Sequence, residues 1–302
     1  MTILRIYDLY EYDRSSYCAP ATLKKYKEDI QLFFRFLNVK YHICVDQDGF
    51  AALPEDADIY KDYIVHLRGT VKNSTIRSYC RSVKAFLRYC YEEDLCKDYL
   101  KRVKLPKDDA APKLPLYMDE VKSIDATFDK TTEKGIRNYC IVHLMLDCGL
   151  RCQEVVHLKP EHIDQERNIL TIMDSKGNKS RFVLIPDFVL EAIAVYRSMR
   201  ILRTEFLFQS LKKTVPLTNN TIKLLFQDLK QETGIDRLHA HLLRHTFATS
   251  YLMGGGNLEF LRVFLGHYDY SVTKVYSSMA AQFKMLGADI YQLDPIFFTR
   301  GY

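Results

Sequence analysis

Four short segments in the second half of this 302-residue chain concentrate side chains that can do chemistry. "LDCGLRCQEVVHL" places Arg151 directly after a Gly-Leu turn, with Glu154 one helical turn beyond it. "MDSKGNKSR" places Lys176 in a turn-rich stretch, with Lys179 close by. "HLLRHTFAT" puts His241 and Arg244 on one helical face. "LGHYDYSVTKVYSS" carries His267, then Tyr268, Tyr270 and Tyr276. Guanidinium, ammonium and imidazole groups bind anionic oxygen, and a phenol that loses its proton is a nucleophile. Each segment alone also has a plainer account. Arg151 could be a helix-terminal cation, Lys176 a solvated turn residue, Glu154 half of a surface salt bridge, and the tyrosines ordinary core aromatics. His241 and His245 have the spacing of half a zinc site. However, Leu242 stands where the zinc-protease motif needs its glutamate, and no further ligand is placed. No metal and no cofactor are expected.

The elements that must position these residues follow from hydrophobic periodicity. Leu23, Tyr26, Ile30, Phe33, Phe34 and Leu37 recur at helical spacing, so the first helix is expected over 22–37, with a non-helical lead before it. Pro54 and an acidic first turn open a second helix. Asn73 and Ser74 open a third that runs to about Tyr91, and a short fourth is expected over 97–103. Pro106, Pro112 and Pro115 mark a linker over 106–116, which separates a helical domain, 1–105, from a second domain, 117–302. In the second domain helices are expected over 118–128 and 135–148. "NILTIM" and "RFVLIP", flanking "DSKGNKS", then read as a β-hairpin. Further helices are expected over 187–202, 218–233, 239–253, 258–265 and 271–280. The fold class is mainly α with a small antiparallel β-sheet.

Composition narrows the function classes. The net charge of +5 and pI of about 8.6 permit a nucleic-acid partner without requiring one. The sharper signal is local: Arg77, Arg81, Lys84 and Arg88 fall in one stripe of the third helix, opposite Ile76, Cys80, Val83, Phe86, Leu87 and Cys90. No acid occurs between Arg68 and Arg88, whereas a merely solvated face normally mixes signs. Such a stripe suits a phosphate backbone. The eight cysteines are scattered and form no CxxC pair, and neither a secretory leader nor a membrane span is evident. A soluble cytoplasmic protein with reduced thiols is expected, nucleoid-associated when bound to DNA.

Together, the segments resemble the tyrosine recombinase (phage integrase) family, in order, spacing and local sequence. "CGLRCQEVVHL" is similar to that family's first arginine box, "SKGNKSR" to its hairpin lysine loop, "HLLRHTFAT" to its His-x-x-Arg box, and "LGHYDYSVTKVY" to its histidine and nucleophile segment. The resemblance spans nearly the whole chain. It implies a two-domain DNA clamp: an N-terminal helical, SAM-like core-binding domain and an α+β catalytic domain. It also implies site-specific recombination through a 3′-phosphotyrosyl intermediate and a Holliday junction, with no metal or ATP.

The resemblance assigns roles. Tyr276 is the nucleophile, while Tyr268 and Tyr270 are packing or backbone-contact residues. Arg151 and Arg244 clamp the phosphate with planar paired donors, which a lysine's point charge would replace poorly. His241 takes phosphate contact and proton handling, and His267 donates a hydrogen bond to the phosphate. Lys176 is the acid for the leaving 5′-oxygen, with Lys179 as competitor and DNA contact, and Glu154 supports Arg151. The partner is double-stranded DNA with a specific core site. The apolar tail, with Met285, Leu286, Ile290, Tyr291, Ile296, Phe297 and Phe298, either packs on its own domain or is exchanged among protomers of a homotetramer. The short lead before the first predicted helix argues against an additional arm-binding domain and toward an Xer-like or small-element enzyme. The rival readings are a type IB topoisomerase-like relaxing enzyme and a non-catalytic DNA-binding protein on the same scaffold.

Overall fold

The chain turns helical at once, in α1 (Ile3–Ser15), ahead of the first helix expected from the sequence over 22–37. Thr2 caps α1 by accepting from the Arg5 amide. Ile3, Ile6, Tyr7 and Tyr10 form a buried stripe at helical spacing. The Tyr7 ring meets Phe34 edge-on at 5.8 Å and the Tyr10 ring meets Phe86 at 5.4 Å. The structure, a computed structural model, describes residues 1–107, 114–173, 180–200, 204–211, 214–267 and 269–299. It divides into two compact units, Met1–Pro112 and Lys113–Tyr302.

In the first unit α2 (Pro20–Tyr41), α3 (Ile59–Leu67) and α4 (Asn73–Glu92) complete a helical core with α1. Asp29 of α2 is buried, which a carboxylate tolerates only with partners. It has two: the Ser82 hydroxyl donates at 2.6 Å and the Lys25 ammonium lies at 2.6 Å. The helix expected over 97–103 does not form. The chain leaves α4 through Asp94 at φ 56° and passes Arg102 at φ 60°, both left-handed, so it proceeds in turns.

The second unit contains α5 (Met118–Ala126), α6 (Glu133–Leu146) and α7 (Cys152–Val156). An antiparallel sheet in the order β1 (Ile163–Asp164), β2 (Ile169–Met173), β3 (Ser180–Leu184) follows. Next come α8 (Asp187–Met199), α9 (Asn219–Thr233), α10 (Ala240–Met253), α11 (Leu258–Leu265) and α12 (Tyr270–Met285), with a last short turn of helix, α13 (Ile296–Thr299). The predicted hairpin is β2–β3, paired Leu170 to Val183, and β1 was not anticipated. Both α6 and α10 are buried along almost their whole length, and they pack on one another. His241 and Arg244 lie on α10, and α6 runs into the turn that carries Arg151 to α7.

Part of the segment read as linker is woven into this unit. The Leu116 amide donates to Thr246 Oγ1 at 2.9 Å, and Leu116 is fully buried. The tail packs on the same unit. Tyr117 pairs with Ile290, and Phe297 is buried against Phe247 of α10 and Phe264 of α11.

Candidate active site

Gly149 is the pivot of the site. After α6 the chain reverses through Gly149 at φ +65°, and an added Cβ would lie 2.7 Å from the Phe247 ring. Only glycine fits both the backbone and the space. The turn delivers Arg151 to the N-cap of α7. Its backbone N–H donates to Glu154 Oε2 at 2.7 Å, Nη1 reaches Glu154 Oε1 at 3.0 Å, and Nη2 reaches the Gly266 carbonyl at 3.2 Å. The Arg151 side chain stays partly open to solvent.

Arg244 is far more enclosed. It projects from buried α10 and is 1 % exposed. Nη1 donates to the Gly149 carbonyl at 2.7 Å, and Nη2 donates to the Leu265 carbonyl at 2.5 Å and to His267 Nε2 at 3.1 Å. Burial, then the neighbouring Arg151, pull its pKa down to about 9, so it remains a cation at neutral pH. Glu154 offsets part of that cost. Its own carboxyl would be raised by burial, but Arg181 holds it below the usual carboxylate range.

Arg181 is the residue that sequence reasoning missed. It grips Glu154 with two bonds of 2.9 Å and donates Nε to the Phe264 carbonyl at 2.6 Å. A signal existed: strand alternation puts Arg181 on the same face as core-facing Val183, an unusual place for a charge. Glu154 is thus a nearly buried bridge between two arginines rather than half of a surface salt bridge.

His267 follows Gly266, the left-handed cap of α11. Its Nε2 faces a guanidinium, which only donates, so Nε2 is the acceptor. Nδ1 then carries the proton toward Thr273 Oγ1, at 3.0 Å. Burial and the surrounding arginines push its pKa down to about 4. The ring is therefore neutral, and in this arrangement it orients Arg244. That differs from the expected task of donating to phosphate, which would require a proton on Nε2.

Tyr276 lies on α12, buried at 8 % exposure, its ring parallel to His267 at 6.4 Å and 5.3 Å from the His245 ring. Burial raises its pKa, while Arg244 and Arg151 pull the other way. Tyr270 is half exposed at the start of α12. His241 is exposed in the first turn of α10, and its field reaches His267. The structure thus gathers Arg151, Glu154, His241, Arg244, His267 and Tyr276. Lys176, Lys179 and Tyr268 lie outside the described residues. Cys148 is fully buried, which raises its thiol pKa, as expected of an inert cysteine. The named arginines outnumber the one carboxylate among them by two charges, so the cluster favours an anion.

On α4, Arg77, Arg81, Lys84 and Arg88 are all exposed, and among the described residues none is in an ion pair. The opposite face of the helix, from Ile76 to Cys90, is buried. Arg77 donates to the Pro106 carbonyl at 3.0 Å.

Comparison with known proteins bears directly on this arrangement. The model of the phage integrase family matches residues 115–282. The tyrosine recombinase XerC of Bacillus pumilus is 29% identical over 271 residues, 86% of each chain. The integrase of transposon Tn1549, solved with a circular intermediate DNA, superposes with a TM-score of 0.72 at 19% identity, over 95% of this chain and 99% of that one. A lambda integrase dimer bound to a core site gives a TM-score of 0.70 at 17% identity, over 92% and 95%. At such identities the two structures speak for the fold.

Proposed function

Because the chain belongs to the phage integrase family and is a site-specific tyrosine recombinase, we propose that Tyr276 is its nucleophile, acting on a DNA phosphodiester held by Arg151 and Arg244. The observation that carries this reading is the placement of a buried phenol within the field of both guanidiniums. The Tyr276 oxygen attacks phosphorus, the 5′-oxygen departs, and a 3′-phosphotyrosyl bond conserves the energy of the broken one. The 5′-hydroxyl of a partner strand then attacks that bond and releases the tyrosine. Two such rounds, through a Holliday junction, exchange both strands.

The cations do the electrostatic work. Negative charge develops on the non-bridging oxygens, and a pre-positioned donor aimed at such charge contributes about 3–4 kcal/mol. Arg244 is already desolvated and fixed by protein acceptors, so it need not reorganise when the phosphate arrives. Tyr276 must lose its proton against the effect of burial. His241, exposed one turn before Arg244, is the proposed proton acceptor and phosphate contact. Lys176 is the proposed acid for the 5′-oxygen, with Lys179 as the alternative. The exposed stripe on α4 is the proposed backbone contact of the first unit, which together with the second clamps the duplex at a specific core site.

Assembly completes the proposal. A homotetramer on paired sites is joined by the apolar tail, which leaves its own unit and seats on a neighbour. Gly287 at φ +60°, next to highly exposed Met285 and Leu286, supplies the pivot. Incubation with a nicked suicide duplex carrying the core site tests the chemistry. Wild type is expected to accumulate a covalent protein–DNA adduct and Tyr276→Phe none, while Tyr270→Phe behaves as wild type. An adduct that survives in Tyr276→Phe removes the assignment.

A further inference from the structure

Behind the arginine turn lies a buried ionic cluster with no part in the chemistry proposed above. Asp147, the C-cap of α6, is fully buried and sits two residues before Gly149. Both of its oxygens are engaged: Oδ2 lies 2.7 Å from His143 Nδ1, and Oδ1 accepts from the Tyr291 hydroxyl at 2.8 Å. The other nitrogen of His143, Nε2, lies 2.9 Å from Asp125 Oδ1 on α5. Two ring nitrogens facing two carboxylates are both donors, so His143 is an imidazolium. Burial alone would lower its pKa, but Asp125 and Asp147 raise it to about 9. The other titratable groups against it are Tyr139, whose ring lies 4.1 Å away on α6, and Lys130, which sits over the Tyr139 ring. Phe188 of α8 closes the far side.

Tyr291 belongs to the tail, and it is fastened at three points. Its amide donates to the Leu116 carbonyl at 3.0 Å, its carbonyl accepts from Ser250 Oγ of α10 at 2.5 Å, and its hydroxyl reaches Asp147. The tail therefore touches the residue that ends α6. From there the covalent path to the Gly149 carbonyl, which holds Arg244, is two residues long. In a closely packed interior a shift at one end of so short a link is not absorbed.

We propose that Asp147, held by the His143 imidazolium, is a positioning residue that sets the Gly149 turn and so the Arg151–Arg244 clamp, and that the Tyr291 hydroxyl makes this setting depend on a seated tail, the chain's own or, in the tetramer, the one a neighbour supplies. The inference rests on the reading of Tyr276 as nucleophile. Losing the hydroxyl leaves one buried carboxylate oxygen short of a donor, and the turn relaxes. The site then binds DNA as before but cleaves it more slowly.

Tyr291→Phe tests this directly, since it keeps the ring and both backbone bonds of the tail. Duplex affinity is expected to stay within about twofold, while covalent adduct on the nicked suicide duplex forms roughly tenfold more slowly, the equivalent of one buried hydrogen bond. A pH series supplies a readout that packing alone would not move. The His143 charge is fully present at neutral pH and is lost as pH rises through about 9, where Arg244 also titrates, so adduct formation by wild type declines there and it is a shift of that decline that reports on His143. Asp147→Asn removes one of the two carboxylates and is expected to move that decline to lower pH. Equal adduct rates in wild type and Tyr291→Phe overturn the inference, as does an unshifted decline in Asp147→Asn. A wild type that forms no adduct at all instead removes the Tyr276 reading beneath it.

Discussion

Arg81 and Arg88 on α4 stand in solvent, while Arg244 of the second unit is buried and Arg181 nearly so, with each of the latter guanidiniums bonded to named protein acceptors. The residue type is the same, and its surroundings set its use. A solvated cation keeps its hydration, moves freely, and attracts a phosphate through a screened field that fades within about 8–10 Å in physiological salt. A desolvated one pays for its burial in advance, which the depressed pKa of Arg244 registers, and it meets the phosphate in fixed geometry. The first arrangement suits affinity along a backbone, and the second suits charge that develops at one atom.

The sharpest way to break this contrast is to keep the charge and remove the geometry. Arg244→Lys retains a cation but loses the planar fork that spans Gly149, Leu265 and His267. Single-turnover cleavage is expected to fall by about 10²–10³-fold with duplex affinity little changed. A lysine that supports near-normal cleavage would make Arg244 a simple point charge like those of α4.

Glu154→Gln probes the same wiring with a smaller effect. The amide keeps the shape but cannot offset Arg151 and Arg181. Cleavage is expected to drop roughly tenfold, in the range seen when a supporting partner of a site is removed. The carboxyl is held below its ordinary range in the folded chain. Its contribution to stability is therefore present above the unfolded pKa and is lost as pH falls through the lower folded value. Thermal melts should show that acid-side loss in wild type and less of it in Glu154→Gln.

How much of this was readable in the sequence follows from the same physics. Arg151, Arg244, His267 and Tyr276 are legible through the resemblance of their segments to the family's boxes, with residue chemistry only making the choice intelligible, and the structure brings them to one place. The supporting shell was harder to see. Glu154 is legible as a support for Arg151, but its burial and its second partner, Arg181 on β3, are not, because sequence carries no burial for a residue whose partner lies in a distant strand. The His143–Asp147 pair sat at helical spacing inside an apolar run, yet nothing local revealed Asp125 or Tyr291. Helix α1 was overlooked although Ile3, Ile6, Tyr7 and Tyr10 recur on one face, because its polar residues are dense and its cap is a single threonine. The turn after α4 reads as helix because the left-handed Asp94 and Arg102 are not glycines, although the Leu95 amide donating to the Cys90 carbonyl at 2.8 Å closes α4 locally.

The smallest effect is expected from the open stripe, and its size is the point. Arg81→Ala together with Arg88→Ala removes two exposed cations and no described ion pair, so the stability of the first unit should change by less than about 0.5 kcal/mol per site. If each touches one phosphate, binding weakens uniformly across sequences. The slope of log affinity against log salt then becomes shallower by about two, near 0.9 per contact. Adduct formation at saturating protein should be unchanged, because nothing on α4 belongs to the arginine clamp. A salt slope equal to that of wild type would mean that the stripe is only a solvated face. A fall in the saturated cleavage rate would mean that α4 does more than hold DNA, and the division of labour between exposed and buried arginines would have to be redrawn.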